Sequence, residues 1–207
     1  MTHCTPAAQL TERFDAALAY ASRLHRHQLR KGTAIPYVSH LLAVAAIALE
    51  HGADEDQAIA ALLHDAVEDQ GGLARLAEIR ARFGEEVAAI VADCTDDLAG
   101  TKALAAGPQD KAAEWHARKA AYIAGLAEKA PRSLAVSIAD KTHNAAAINA
   151  DLRLHGAAVW ARFTGRREGT LWYYRSLADA FTRLAPGAAS ARLAREVAEM
   201  EELAARF

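Results

Sequence analysis

Apolar residues recur along this 207-residue chain at three- and four-residue intervals almost from end to end, while alternation with a period of two is nearly absent. Such spacing buries a stripe of a helix rather than a face of a strand, so the expected fold is all-α. Punctuation then divides the chain. Thr5 or Thr11 can cap a first helix running toward Leu29, and Gly32 and Pro36 force a loop that ends at Tyr37. Ser39 can cap the next helix. Its Leu41, Val44, Ala45 and Ala48 form one face and Leu42, Ala46 and Leu49 cover much of the other, which predicts a central helix surrounded by protein. Gly52 ends it, Asp54 caps a helix carrying His64 and Asp65, and Gly71-Gly72 breaks the chain again. Leu73, Leu76, Ile79 and Phe83 predict a short amphipathic helix closed by Gly84. Glu85-Glu86, favourable at the positive end of a helix dipole, opens another that reaches about Asp93. Residues 96–110, with Gly100, Gly107 and Pro108, read as a mobile loop with Lys102 and Lys111 on or beside it. Trp115, Tyr122 and Leu126 mark a helix ended by Pro131, and a further helix carries Leu134, Ile138, Asp140 and Asn144 before Gly156. Two more follow, one with Leu171, Tyr174, Ala178 and Phe181 and one with Leu193, Val197, Met200 and Ala204. The expectation is a bundle of about ten helices.

Composition narrows the function. A hydrophobic content of 52% and the lack of a Ser/Gly-rich or Pro-rich linker predict one domain over residues 1–207. Lys+Arg 24 against Asp+Glu 26 gives a net charge of -2, which leaves no global field for nucleic acid or an anionic membrane. An anionic ligand must be met locally. Cys4 and Cys94 are too few for a disulfide framework, and Cys94 falls in the apolar row Val87, Ile90, Val91, so a buried, reduced thiol in a cytoplasmic protein is expected. The N-terminus lacks a charged-then-apolar signal, and the longest apolar run, residues 41–49, is too short to span a bilayer. Oligomeric state is left open by the sequence.

The chemistry concentrates where the apolar run Ile59-Ala60-Ala61-Leu62-Leu63 gives way to His64-Asp65, followed one turn later by Glu68-Asp69. Three carboxylates so close repel one another in a low-dielectric setting, and a cation relieves that repulsion. On a helix His64 lies one turn from Glu68 and Asp65 one turn from Asp69, so that one stripe can hold metal while the other handles water. Imidazole and carboxylate suit a hard or borderline divalent ion, and His40 and Asp140 offer further ligands on other predicted helices. Plainer readings stand beside these. His64-Asp65 can be a solvated helix end, His40 a satisfied histidine near a helix start, Asp140 a surface aspartate paired with Lys141, and Arg30-Lys31 a cationic helix C-terminus. His143 is assigned to packing, His25 and His27 to the first helix end, and Trp115, Trp160, Phe163 and Trp172 to the core. Arg166-Arg167 reads as a surface charge patch.

Four blocks in order, Arg30-Lys31, Pro36-Tyr37-x-x-His40, residues 60–69 and Ala139-Asp140-Lys141-x-His143-Asn144, resemble those of HD-superfamily phosphohydrolases. More narrowly they are similar to the alarmone hydrolase domain of RelA/SpoT homologues, and, with no synthetase region following, to stand-alone small alarmone hydrolases. The resemblance covers about His25 to Tyr174. It implies an HD-type helical bundle in which His40, His64, Asp65 and Asp140 ligate one metal ion, usually manganese, while Glu68 and Asp69 serve the attacking water. It also implies hydrolysis of the 3′-pyrophosphate of guanosine tetra- or pentaphosphate. Arg30 then stacks on the base, Lys31 meets phosphate, Asn144 contacts the ribose and Tyr173 faces the nucleotide. Departures from the family pattern are Leu41 in place of a proline, Gln70 for a threonine, Thr142 at a usually apolar position, Ala147 for a substrate-contacting threonine and Leu98 for a lysine. None removes a ligand. They leave open another nucleotide or phosphorylated cofactor such as NADPH as substrate, or a non-catalytic nucleotide sensor.

Overall fold

Among the described residues, 9–95 and 108–207 of a computed structural model with the side chains of 108–110 excepted, the chain forms ten α-helices and no strand. Cys4, Thr5, Leu98, Lys102 and most of the expected 96–110 loop lie outside the described residues. Helix α1 (Glu12–Leu24) is capped by Thr11, whose hydroxyl accepts from the Arg13 amide. It stops short of Leu29. His25 takes the C-cap, and the chain then folds into a clip in which Leu29 pairs with Pro36 and Tyr37 N–H donates to the Gln28 carbonyl at 2.9 Å.

Helix α2 (Val38–Glu50) begins one residue before Ser39, so Ser39 is not its cap. The Ser39 hydroxyl instead donates to the Pro36 carbonyl at 2.8 Å, inside the first turn. Nor is α2 surrounded by protein, since Leu42 is 46% exposed and Ala46 faces solvent. The buried position belongs to α3 (Glu55–Leu63), in which every residue from Gln57 to Leu63 is buried. Asp54 caps α3 through a reciprocal pair of bonds with Gln57. The helix ends at Leu63. His64 is its C-cap and Asp65 the N-cap of the four-residue α4 (Ala66–Asp69), so the pair stands at a break and not within a continuous helix.

Gly71 at φ 130° and Gly72 at φ 59° turn the chain into α5 (Gly72–Phe83) in backbone conformations that a side chain disfavours. Leu76, Ile79 and Phe83 are buried there, whereas Leu73, in the first turn, is 63% exposed. Helix α6 (Glu85–Cys94) follows, with its Val87, Ala88, Ile90 and Val91 face inward. Helix α7 (Pro108–Gly125) passes into a 3-10 turn at Leu126–Glu128. Pro131 does not end that helix. It is the first residue of α8 (Pro131–His155), where its missing N–H costs nothing. A 3-10 segment (Gly156–Arg162), α9 (Arg166–Leu184) and α10 (Ala188–Ala204) complete the order.

Two apolar cores result. One gathers α1 to α6 with Val136 and Ala139, and the other gathers α7, α9 and α10 with Leu134, Ile138, Ala145, Ile148 and Leu152. Helix α8 runs through both. Arg167, expected as part of a surface patch, donates to the carbonyl of Ala204 at 2.9 Å and so closes the C-terminal end of α10. Trp160 is buried in the second core, as its spacing suggests, while Trp115, Phe163 and Trp172 are only partly buried against it. No described helix is long and apolar enough to cross a membrane.

Candidate metal centre and the clefts beside it

The break between α3 and α4 turns two successive side chains inward, and α2 and α8 supply two more from the sides. His40 Nε2 lies 3.3 Å from Asp140 Oδ1 and 3.5 Å from Asp65 Oδ2. His64 Nε2 lies 3.0 Å from Asp65 Oδ2 and 3.5 Å from Asp140 Oδ1. Two ligand atoms bound about 2.1 Å from a common ion, at right angles, stand about 3 Å apart, so these separations suit joint coordination. His40, His64 and Asp65 offer ligand atoms that all fall within 4.8 Å of one another. Three of the four residues expected as ligands thus converge mutually, and Asp140 joins them through its approach to the two histidines. The continuous acidic stripes expected on one helix do not form, because the helix breaks at the pair.

A test of fit comes from the imidazoles. Both Nε2 atoms are buried and lack a hydrogen-bond partner. His64 Nδ1 donates to the Ala61 carbonyl at 2.8 Å, which puts the proton on that nitrogen and leaves a lone pair at Nε2. His40 Nδ1 is 2.8 Å from His143 Nδ1. Burial, and the neighbouring His40, push His143 down to about 4, so His143 is neutral near pH 7 and can accept the His40 proton at its Nδ1. Two buried lone pairs aimed at two aspartates are the donor set of a divalent cation. The pieces fit.

Without a cation the cluster settles its charges by other means. Burial works against a charged His64, yet Asp65 and Asp140 outweigh it and hold its pKa well above the ordinary histidine value. Burial likewise opposes ionised Asp65, but His64 and His40 hold that carboxyl well below the usual range. Asp140 is also held low against burial, first by Lys141, whose ammonium is 2.7 Å from Oδ2. Tyr37 donates to Asp65 Oδ2 at 2.5 Å, and Asn144 Nδ2 donates to Asp140 Oδ1 at 2.6 Å. Arg30 in turn donates to Asn144 Oδ1 at 2.6 Å, and its guanidinium stands 5.7 Å from the Tyr37 ring centre.

Two clefts open here. One, of about 570 Å³, has Lys31, Lys111, Arg118, Lys119 and Lys141 on its walls together with Glu68 and Asp69. The other, of about 490 Å³, is lined by Arg30, Ile35, Tyr37, His143, Ala147 and Leu154 among others. Lys31, Asn144, Phe163 and Tyr174 border both. Tyr173, buried at 5% exposure, is on the wall of the first. All four residues expected to touch substrate thus line one or both clefts. Sequence reasoning missed Tyr37 as a partner of Asp65 and His143 as a partner of His40, although both lie inside the quoted blocks. It also gave no role to Arg118 and Lys119, seven and eight residues beyond Lys111 on α7.

Comparison with known proteins places the fold in a family. The HD domain family model matches residues 17–171, three quarters of the chain. A GTP pyrophosphokinase of Myxococcus xanthus is 38% identical over 128 residues, which cover 62% of this chain but 16% of that protein. A guanosine-3′,5′-bis(diphosphate) 3′-pyrophosphohydrolase of Drosophila melanogaster is 31% identical over 153 residues, covering 72% of this chain and 75% of its own length. A solved structure of a metazoan ortholog of SpoT, one that hydrolyses ppGpp and plays a role in starvation responses, superposes with a TM-score of 0.69 at 28% identity, covering 95% and 97% of the two chains.

Proposed function

From its place in the HD domain family, to which this chain belongs, we propose that the protein is a metal-dependent phosphohydrolase. Its reaction in this reading removes the 3′-pyrophosphate of guanosine tetra- or pentaphosphate to give GDP or GTP and pyrophosphate. The observation that carries the reading is the pair of buried, unpartnered Nε2 atoms facing Asp65 and Asp140 beside a cation-lined cleft. His40, His64, Asp65 and Asp140 would hold the ion, manganese by resemblance to the family. When bound, the ion lowers the pKa of water and polarises a phosphoryl oxygen.

The chain's own residues supply the rest. Glu68 and Asp69, on the cleft wall beside the cluster, orient the attacking water and take its proton. Asp69 is suited to the second task because burial, and then Asp65, raise its pKa above the ordinary aspartate value. Lys31, Lys111, Arg118 and Lys119 neutralise phosphate charge, the ribose 3′-oxygen leaves and takes up the proton given up by the water, and the product pyrophosphate departs along that cationic wall. Arg30 and Tyr37 present planar faces to the base in the less polar cleft, with Asn144 between the clefts for the ribose and Tyr173 on the phosphate side. This reading treats residues 1–207 as one catalytic unit in the cytoplasm, a placement supported by the two-cysteine composition.

The test is product release from guanosine tetraphosphate and a panel of other nucleotides and NADPH, with manganese added and chelated, beside Asp65→Ala. Manganese-dependent pyrophosphate release, lost in Asp65→Ala, supports the proposal. Preference for another member of the panel overturns the substrate, and no turnover of any member overturns the enzyme.

A further inference from the structure

Asp69 is gripped by side chains from outside the set expected to ligate metal. Gln28 Nε2 donates to Asp69 Oδ2 at 2.7 Å, while Gln28 Oε1 lies 2.7 Å from His25 Nδ1 and 2.7 Å from Gln70 Nε2. An ionised carboxylate only accepts, so Gln28 must turn its amide N–H toward Asp69 and its carbonyl oxygen toward the other two. Both of those must then donate. Burial pushes His25 below the ordinary histidine value, so the ring is neutral with its proton on Nδ1. One carboxylate thereby fixes the orientation of three side chains in sequence.

One anchor is buried and the other adjoins Asp69 in the chain. His25 is buried at 2% exposure, forms the C-cap of α1, and stacks on Tyr37 with 5.3 Å between ring centres and 19° between planes. Tyr37 is the donor to Asp65, so the same small stack holds a side chain in the ligand cluster and, through Gln28, a side chain on the cleft wall. Gln70 comes from the turn after α4, adjoining Asp69 itself. Asp69 needs such a grip, because it ends a four-residue helix with part of its residue open to solvent while its carboxyl lies among the buried groups of the cluster, and its rotamers are otherwise free.

We propose that Gln28, braced by His25 and Gln70, is a positioning residue that aims the Asp69 carboxylate at the reacting water. The inference rests on the reading of Asp69 as a water-handling group. Gln70, which stands where the resembled hydrolases have threonine, makes the brace a feature of this chain's own sequence.

Gln28→Ala in the full chain is the test, measured with manganese by kcat, KM and metal content, and repeated in an Asp69→Ala background. A loss of orientation costs about 10-fold to 10²-fold in kcat, since displacement of a reacting group by about 1 Å is worth that much. KM and metal content stay within about twofold, and Gln28→Ala adds nothing once Asp69 is already gone. Gln28→Glu, which sets an acceptor against an acceptor, loses kcat as well. A second readout needs no turnover: the Asp69 carboxyl, followed by carbon NMR, titrates at higher pH in Gln28→Ala because its N–H donor is lost. Unchanged kcat together with an unmoved carboxyl titration overturns the proposal, and so does an equal loss in both backgrounds. If the wild type shows no turnover while the titration still moves, the functional reading fails and the brace stands.

Discussion

His143→Ala isolates how the second nitrogen of a ligand histidine sets metal affinity. His40 Nδ1 and His143 Nδ1 are 2.8 Å apart, and His143, pushed down to about 4 by burial and by His40, accepts that proton across the neutral range. In the metal-free protein His40 can shift its proton between nitrogens when the acceptor goes. With Nε2 committed to an ion it cannot, so a buried N–H is left without a partner. That defect costs about 1–3 kcal/mol. Loss of an outer partner of a ligand histidine typically weakens metal binding 10-fold to 10²-fold, and at about 1.4 kcal/mol per decade the two estimates agree. Titration calorimetry with manganese at pH 7 should therefore show Kd weakened about 10-fold to 10²-fold, with metal-free thermal stability little changed. A Kd within about twofold of wild type, or an equal loss of stability with and without metal, would refute the argument. The sign with pH follows from the lowered pKa. The unfolded chain binds a proton at this position near 6.5 and the folded chain only near 4, so this group's contribution to metal-free stability is lost as pH falls through that window.

Three further outcomes are expected. Because Asp65 and Asp140 hold His64 protonated above its ordinary pKa in the metal-free protein, that contribution to stability is present below about 6.5 and lost as pH rises through the folded value. Manganese must displace the proton, so affinity should improve about tenfold per pH unit below that value; a flat profile between pH 6 and 8, in calorimetry with buffers of different ionisation enthalpy, tells against it. Glu68→Ala should keep the metal and slow turnover by about 10²-fold, whereas loss of metal by elemental analysis would move Glu68 into the ligand set. Gly165→Ala would place a Cβ 2.5 Å from the Trp115 ring, so it should cost about 1–3 kcal/mol in denaturant unfolding and raise KM as α7 moves off α9 and its cationic wall shifts.

The helices were legible because each carries its own signal. Thr11 and Asp54 cap where a short polar side chain precedes an apolar run, and Gly71-Gly72 and Gly84 stop helices in backbone conformations that a Cβ opposes. What the sequence hid was non-local. Leu42 and Ala46 look as apolar as Val44 and Ala45, and only the placement of α8 and α3 decides which face of α2 is covered. The clip is closed by a single isolated bridge, Leu29 with Pro36, and leaves no period to detect. At the site, residue types pointed to His64 and Asp65, and resemblance joined them to His40 and Asp140, but the Nδ1 contact between His40 and His143 spans 103 positions and has no local trace. Gln28, Asp69 and Gln70 likewise meet across 41 and 42 positions.

The junction of the two cores explains why the cluster sits where it does. Helix α8 is buried on opposite sides, by Val136 and Ala139 against the first core and by Ile138, Ala145 and Ile148 against the second. Between those contacts it presents Asp140, Lys141, His143 and Asn144, and each meets a partner from elsewhere or from its own turn: His40 and His64, Asp140, His40, and Arg30 with Asp140. A polar set of this density could not stand in a helix buried by one continuous apolar core, because each group would lose water without gaining a partner. Placed at a seam, Asp140 and Lys141 give up most of their water but gain charge-assisted bonds in exchange, while the half-buried His143 and Asn144 border the clefts. The cost falls on the metal-free state, in which a buried His64 must carry a proton between Asp65 and Asp140 and the buried His40 Nε2 lacks a hydrogen-bond partner. In the proposed reading a divalent cation would displace that proton and satisfy both histidines and both carboxylates at once, so the free energy of the mismatch would become metal affinity rather than fold stability.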